Sequence, residues 1–98
     1  MAKYLMTWKV VQERLADDVQ TIAAGWQQLL GMVKADLEAG KMTDWGAFPG
    51  ENEGYSILEG NEMDVMAATV KYAPFVTFRV HPVVSAGQVS EFLSAVAS

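Results

Sequence analysis

Residues 41–60 read KMTDWGAFPGENEGYSILEG, and this stretch decides the fold because it predicts strand, turn and strand in succession. Met42–Phe48 is the first short strand of the prediction and Gly54–Glu59 is the second. Between them, Pro49–Glu53 has the proline, glycine and asparagine of turn chemistry. Both flanking segments show a helical period, so the sequence predicts a β-hairpin between two helices.

The segment before the hairpin predicts a long amphipathic helix. Asp17, with Gln20 three residues later, is close to a capping box and marks the predicted start, and Gly40 is a natural left-handed stop. Gly25 and Gly31 lie inside this helix, where they either permit close approach of another element or are tolerated at about 1 kcal/mol each relative to alanine. The apolar residues recur at steps of three and four: Val19, Ile22, Trp26, Leu29, Val33 and Leu37.

A second, shorter helix is predicted after the hairpin. Asn61 is its predicted N-cap, and Asp64 in the first turn interacts favourably with the helix dipole. Pro74 ends the helix, because the residue before a proline is pushed towards extended geometry. We predict that the buried side of this helix consists of Val65, Met66, Thr69, Val70 and Ala73.

The outermost segments predict two more strands. KYLMTWKVV (Lys3–Val11) and FVTFRVHPV (Phe75–Val83) are rich in β-branched and aromatic residues. Ser85, with Gln88 three residues later, predicts a further capping box and a short terminal helix. The apolar stripe of that helix is Val89, Phe92, Leu93 and Val96.

The predicted order of elements is β-α-β-β-α-β followed by a helix, which indicates one α+β domain over residues 1–98. This is the ferredoxin-like order, with a four-stranded antiparallel sheet. Right-handed crossovers place both main helices on one face of that sheet. The other face of the sheet is then bare in a monomer.

The bare face decides the expected assembly, because a sheet face in water normally carries polar side chains. In the first strand one face is wholly apolar, whereas the other mixes Leu5 and Val11 with Thr7 and Lys9. The last strand repeats this mixture. We therefore predict a homodimer in which two sheets pack against each other and the mixed face lines the space between them.

Composition excludes several classes of protein. Hydrophobic residues make up 51% of the 98 positions and charged residues 19%, so the chain is too apolar for disorder. It also has more apolar side chains than one small core readily hides. A formal charge of −5 with scattered basic residues argues against a nucleic-acid or membrane partner. The chain has no cysteine, no signal-peptide pattern and no run of about 20 apolar residues, so we expect a soluble, cytoplasmic protein.

Four segments in order, KYLMTWKV, GKMTDWGAFPG, GYSILEG and YAPFVTFRVHPVVS, resemble the dimeric α+β barrel superfamily, particularly a subgroup of small uncharacterised proteins. Related families include cofactor-independent monooxygenases, muconolactone-isomerase-like enzymes, haem-degrading proteins and ligand-sensing regulatory domains. The resemblance implies a dimer with a cavity between sheet and helices or between sheet and partner. It selects no reaction and carries over no catalytic residue.

Arg79 and His81 are the first candidates for a site, because they lie two apart and leave the same side of a strand. An arginine can hold a carboxylate with two hydrogen bonds, and a histidine serves as acid, base or metal ligand near neutral pH. The alternative is structural, with His81 hydrogen-bonded near the strand end and Arg79 paired with a surface carboxylate. We expect both on the second side of the sheet, near a dimer interface.

Aromatic residues form the second candidate group. An apolar pocket with polar tips could be lined by the side chains of Trp8, Trp45 and Tyr55. The competing explanation is that these side chains pack in the core or in an interface. Asp44 lies next to Trp45, and two roles are open for it. It is either a base whose carboxylate is desolvated by the aromatic ring or part of an Asx-type turn that leads into the strand. Trp26 belongs to the helical stripe and is predicted to lie in the core.

Two functions from different classes stay open, and neither calls for a cofactor or a metal. In the first, the protein is a homodimer that binds a small, partly apolar molecule, and one version of this function is a cofactor-independent isomerase or monooxygenase. In the second, it is a non-catalytic dimerisation or regulatory module. An empty, polar-edged pocket supports the first, and a packed interface supports the second.

Overall fold

The computed structural model describes residues 2–11 and 18–97, and these ranges hold four strands and three helices. In chain order the elements are β1 (Ala2–Val10), α1 (Val19–Glu38), β2 (Asp44–Ala47), β3 (Glu53–Gly60), α2 (Glu62–Tyr72), β4 (Val76–Val83) and α3 (Ala86–Ala97). The predicted α+β class and the helix after the last strand are confirmed.

All four strands form one antiparallel sheet in the order β2-β3-β1-β4. The number of strands and their antiparallel direction are as predicted. In the central strand β1, Met6 lies between Ser56 and Val80, while Thr7 lies between Tyr55 and Arg79. Successive side chains point to opposite faces of a sheet. We call the face that carries Met6 the helix face and the face that carries Thr7 the open face.

The hydrophobic core lies between the helix face and helices α1 and α2. One cluster of buried residues joins both helices to the sheet: Trp8, Leu29, Val33, Met42, Tyr72 and Val76. A second cluster joins the sheet to α2 through Tyr4, Met6 and Leu58, with Val65 and Ala68 packed against them. No strand residue of the open face belongs to either cluster, so this core leaves the open face uncovered.

Helix α1 begins one residue later than predicted. Asp18 is its N-cap, and its carboxylate accepts a 2.8 Å hydrogen bond from the backbone amide of Thr21, whereas Asp17 lies outside the described residues. The helix ends as predicted before Gly40, which has a φ of +74°. A Cβ added at Gly25 or Gly31 would have no neighbouring atom within 4 Å. The two glycines are therefore tolerated in the helix and are not needed for the close approach of another element.

The other two predicted caps are confirmed. Asn61 accepts hydrogen bonds from the amides of Met63 and Asp64, and the Asp64 carboxylate accepts one from the Asn61 amide in return. Ser85 and Gln88 make the same reciprocal pair at the start of α3. In both helices, side chains replace the carbonyl partners that the first amides of a helix lack.

Two details of the prediction were wrong. Strand β2 is shorter than Met42–Phe48, because the side chain of Met42 is buried in the core instead of alternating along a strand. The predicted buried side of α2 differs from the observed one by a rotation about the helix axis. Met66 and Val70, which were predicted to be buried, are 57% and 68% exposed, and Ala73 is exposed as well. Side chains three and four residues apart share a helix face, and in α2 the inward face is Val65, Ala68 and Tyr72.

Helix α3 stands away from the core. None of its residues is buried, although its apolar stripe is the predicted one. The described residues span 61 × 26 × 18 Å, and their radius of gyration is 16.3 Å. A compact domain of 100 residues has a radius of gyration of about 13 Å. No helix in residues 2–11 and 18–97 is long and apolar enough to cross a membrane.

Candidate functional site

The six residues proposed as ligand contacts are divided between the two faces of the sheet. Trp8 and Trp45 lie on the helix face, where both line a cavity beneath α1 and α2. The strand register puts the other four on the open face: Asp44, Tyr55, Arg79 and His81. One ligand inside a single chain therefore cannot contact all six.

The cavity on the helix face is small and mostly apolar. Its volume is about 20 Å³, room for roughly one water molecule. The walls include Met6, Met42 and Leu58 as well as the two tryptophans, and the cavity is partly open to solvent. The polar edge predicted for a ligand pocket is not part of this cavity. None of its three predicted residues, Asp44, Arg79 and His81, lines the cavity.

Trp8 is held by packing and by a hydrogen bond of its own. Its ring stacks on Trp45 with centroids 5.2 Å apart and meets Trp26 edge to face at 5.8 Å. The indole Nε1 donates a 3.2 Å hydrogen bond to the carbonyl oxygen of Tyr55. Gly54 lies under the ring, where a Cβ would overlap the indole. The only polar atom of the Trp8 side chain is therefore engaged, and its ring offers the cavity apolar contact alone.

A polar network that the sequence analysis missed joins α1 to α2. Asp36 is 5% exposed, and its carboxylate accepts 2.6 Å hydrogen bonds from the Tyr72 hydroxyl and from Nζ of Lys71. A signal was present: Asp36 follows Leu29 and Val33 at the helical spacing of the buried stripe. A carboxylate in such a stripe needs a buried partner, because an unpaired buried charge is strongly unfavourable.

The pKa values of Asp36 and Tyr72 move in opposite directions. Burial opposes ionisation of Asp36, but the hydrogen bonds from Lys71 and Tyr72 outweigh it and hold the pKa of Asp36 below its usual range. Burial, together with the hydrogen bond to Asp36, raises the pKa of Tyr72 far above its usual value. Near neutral pH Asp36 is a fixed acceptor and Tyr72 a fixed donor, which suits a structural tie between helices.

Asp44 and Tyr55 form a pair at one edge of the open face. The Tyr55 hydroxyl donates a 3.0 Å hydrogen bond to Asp44, and this bond, followed by partial burial and the charge of Asp44, raises the pKa of Tyr55. The same carboxylate accepts a 2.9 Å bond from the backbone amide of Trp45, as in the predicted turn. Asp44 therefore acts as an acceptor for two donors at the start of β2.

Arg79 and His81 lie at the opposite edge of the open face. His81 shares a row with Asp44, but β3 and β1 stand between them, which sets their backbones about 14 Å apart. Both side chains are exposed, and neither bonds to another side chain in the described ranges. The predicted surface carboxylate for Arg79 is not found there, and no acid–base pair joins the two edges.

The open face as a whole has an apolar centre and balanced charge. Leu5, Thr7, Tyr55, Ile57 and Val83 are half-buried although no core cluster covers them. Around them the strands carry three cationic side chains, Lys3, Lys9 and Arg79, and three acidic ones, Asp44, Glu53 and Glu59. Lys3 and Glu59 form an ion pair at 3.7 Å. The face is neutral in a chain whose formal charge is −5.

These features define a small α+β domain with three helices, two of which pack on one face of a four-stranded antiparallel sheet, and with the other sheet face uncovered. The chain belongs to the family described as a domain of unknown function, DUF3303, which it matches over residues 2–97. Among curated proteins, none matches the chain.

Proposed function

We propose that this protein is a homodimeric module, assembled by packing the open faces of two copies against each other. The chain then has the ferredoxin-like arrangement, and the pair forms a dimeric α+β barrel. The observation that carries this proposal is the uncovered apolar centre of the open face, around Leu5 and Ile57. Such a face is more stable against a second sheet than in water.

Charge supports the same assembly. Two chains that each carry −5 repel each other over most of their surfaces. The open face is the exception, because its three cations and three anions cancel. A two-fold interface brings the same patch of each copy together, so a neutral patch with both signs can pair with itself.

Sedimentation velocity of single-residue variants tests the proposal. We expect a wild-type dimer, and we expect Ile57→Asp to raise the dissociation constant at least about 10-fold by burying a charge in the interface. Thr7→Lys, which places bulk and charge beside Arg79, gives a second disruption if Ile57→Asp does not fold. Val19→Asp is the matched control, because Val19 is 80% exposed on α1.

A wild-type protein that stays monomeric at about 100 μM contradicts the proposal. So does a dimer that Ile57→Asp and Thr7→Lys leave as stable as the wild type, because the open face is then not the interface. A dimer weakened by both open-face variants, with Val19→Asp unchanged, supports it.

A second candidate function is binding of a small apolar molecule in the cavity on the helix face. The observation in its favour is the stacked pair of Trp8 and Trp45 on the wall of a partly open cavity. The flexible side chains of Met6 and Met42 can move to enlarge it. A cofactor-independent isomerase or monooxygenase would use this cavity too, so binding is the property to test first.

Benzene is a suitable apolar probe, and because the cavity as it stands has room for roughly one water molecule, its binding requires the side chains of Met6 and Met42 to move. We expect it to raise the unfolding temperature in a saturable way, since a ligand that binds only the folded state stabilises it. Ala68→Leu fills part of the cavity and removes the effect. No shift in the wild type, or the same shift in Ala68→Leu, excludes this function for the cavity.

A further inference from the structure

The helix face of β3 carries two small residues where the neighbouring strands carry large ones. These are Gly54 and Ser56, which lie two positions apart and so share this face. The Trp8 indole covers Gly54. Ser56, whose cross-strand neighbours are Met6 and Trp45, instead lies in the wall of the cavity together with both of them. The small side chain of Ser56 therefore helps to leave the cavity open.

Ser56 is a buried residue whose hydroxyl has no partner. The residue is 4% exposed, and its Oγ makes no hydrogen bond to any other group in residues 2–11 and 18–97. In that part of the chain no side-chain oxygen is both sealed off and unpartnered, so Oγ of Ser56 is open to the cavity. A buried hydroxyl without a partner is unfavourable, because it has lost its hydrogen bonds to water. A ligand that offers a polar atom at this point removes that cost.

Two other polar groups of the cavity wall are already engaged. The Tyr72 hydroxyl donates its hydrogen bond to Asp36, and Nε1 of Trp8 donates to the carbonyl oxygen of Tyr55. Of the two hydroxyl groups in the wall, that of Ser56 is the one left free to bind. A serine hydroxyl can both donate and accept a hydrogen bond. Its natural counterpart is a group that can do the same.

We propose that the cavity binds a small apolar molecule that carries one hydroxyl group, and that Oγ of Ser56 makes a hydrogen bond to that hydroxyl. The apolar body of the ligand lies against the side chains of Met6, Met42 and Leu58, which also line the cavity. This inference rests on the second candidate function, binding of a small molecule in this cavity. It adds the chemical class of the ligand and the residue that selects it.

Other occupants satisfy the cavity less well. A buried water molecule typically makes about three hydrogen bonds, and most of the wall around Ser56 is apolar. A purely apolar molecule suits the wall but leaves the Ser56 hydroxyl unpaired. A molecule with an apolar body and one hydroxyl satisfies both parts of the wall, because each of its ends meets a surface of its own kind.

The cavity must widen to admit the body of such a ligand. At about 20 Å³ it has room for a group of the size of one water molecule, such as the hydroxyl end of the ligand. The rest of the molecule requires the side chains of Met6 and Met42 to move. Methionine side chains have three rotatable bonds and adapt to irregular spaces, so they are suited to this movement.

The test uses two matched probes and a set of matched substitutions. Phenol and toluene have nearly the same shape and differ in carrying a hydroxyl or a methyl group. Ser56→Ala removes the hydroxyl of the chain, and Ser56→Cys, with its weak S–H donor, is a second variant of similar size. Ser90→Ala is the control, because Ser90 is exposed on α3. Titrations of the folded protein followed by NMR give the dissociation constants, and thermal unfolding gives the stability of each variant.

We expect Ser56→Ala and Ser56→Cys to raise the dissociation constant for phenol at least about 5-fold, because the hydrogen bond to Oγ is lost. Binding of toluene should change less than about 2-fold in both variants, since toluene makes no hydrogen bond. Ser90→Ala should leave the binding of both probes unchanged. Without ligand, Ser56→Ala should not lower the unfolding temperature, because no hydrogen bond within the chain is removed.

The outcomes separate this inference from the function on which it rests. If neither probe nor benzene binds the wild type, both fall. If toluene or benzene binds while phenol does not, the cavity takes purely apolar molecules and the hydroxyl-bearing ligand is wrong. If phenol binds equally well to the wild type and to the Ser56 variants, or if these variants weaken phenol and toluene alike, the role of the Ser56 hydroxyl is overturned.

Discussion

The hydroxyl of Tyr72 donates a 2.6 Å hydrogen bond to Oδ2 of Asp36, and this bond joins α2 to α1 inside the helix layer. Lys71, the neighbour of Tyr72, binds the other oxygen of the same carboxylate at 2.6 Å. Two consecutive residues of one helix thus hold one buried acid of the other. The pair connects two helices whose buried apolar side chains belong to the same core cluster.

Removing the Tyr72 hydroxyl should destabilise the fold. We expect Tyr72→Phe to lower the free energy of unfolding by about 2 kcal/mol, because a buried bond to a charged acceptor is lost. Urea denaturation measures the change. Tyr55→Phe is the matched control: it deletes an exposed hydroxyl bond to Asp44 and should cost less than about 0.5 kcal/mol. Equal effects of the two substitutions would contradict the structural role of the Asp36–Tyr72 bond.

The same pair predicts how stability depends on pH. The pKa of Asp36 is lowered in the folded protein, so its contribution is present above the unfolded value of about 3.9 and is lost as pH falls through the folded value. The pKa of Tyr72 is raised, so its contribution is present below about 10 and is lost as pH rises further. Urea midpoints from pH 2.5 to 11, at about one unit intervals, should show both declines.

Two variants assign these declines to their residues. Asp36→Asn should flatten the acid side of the profile, and Tyr72→Phe the alkaline side, each relative to the wild type. An acid decline that is unchanged in Asp36→Asn would mean that other carboxylates set it.

Glycine at position 54 should be required by the fold. A Cβ there would overlap the carbonyl oxygen of Gly46, which is backbone of the paired strand β2, and the Trp8 indole, which is buried and stacked on Trp45. We expect Gly54→Ala to lower the free energy of unfolding by at least about 2 kcal/mol. Gly31→Ala is the control, with open space around its Cβ in the middle of α1, and it should stabilise by about 0.5–1 kcal/mol. Thermal unfolding compares the two substitutions directly.

The N-cap of α2 should contribute measurably to stability. Asn61→Ala removes the acceptor for two backbone amides, at 2.9 and 3.0 Å, and should cost about 1 kcal/mol. Asn61→Ser keeps a capping oxygen and should restore most of the loss. If Asn61→Ser is as unstable as Asn61→Ala, the capping bond is not the source of the effect.

Some of the candidate site was predictable and some was not. The alternation in β4 correctly put Arg79 and His81 on one face, because it depends only on positions two apart. The side chains of Trp8 and Tyr55, grouped in the sequence analysis, lie on opposite faces of the sheet, because the two residues sit in different strands and their relative sides depend on register. The presence of Asp36 in the core was missed, since its partners lie 35 and 36 residues away.

The sequence by itself determined the order of strands and helices and the caps at Asn61 and Ser85, since these depend on interactions between residues a few positions apart. Only the tertiary structure decided which side of α2 faces the sheet, which leaves Met66 in solvent, and that α3 lies free of the core. An apolar stripe shows that a helix can bury one side. What covers that side depends on surfaces brought together by distant parts of the chain or by another chain.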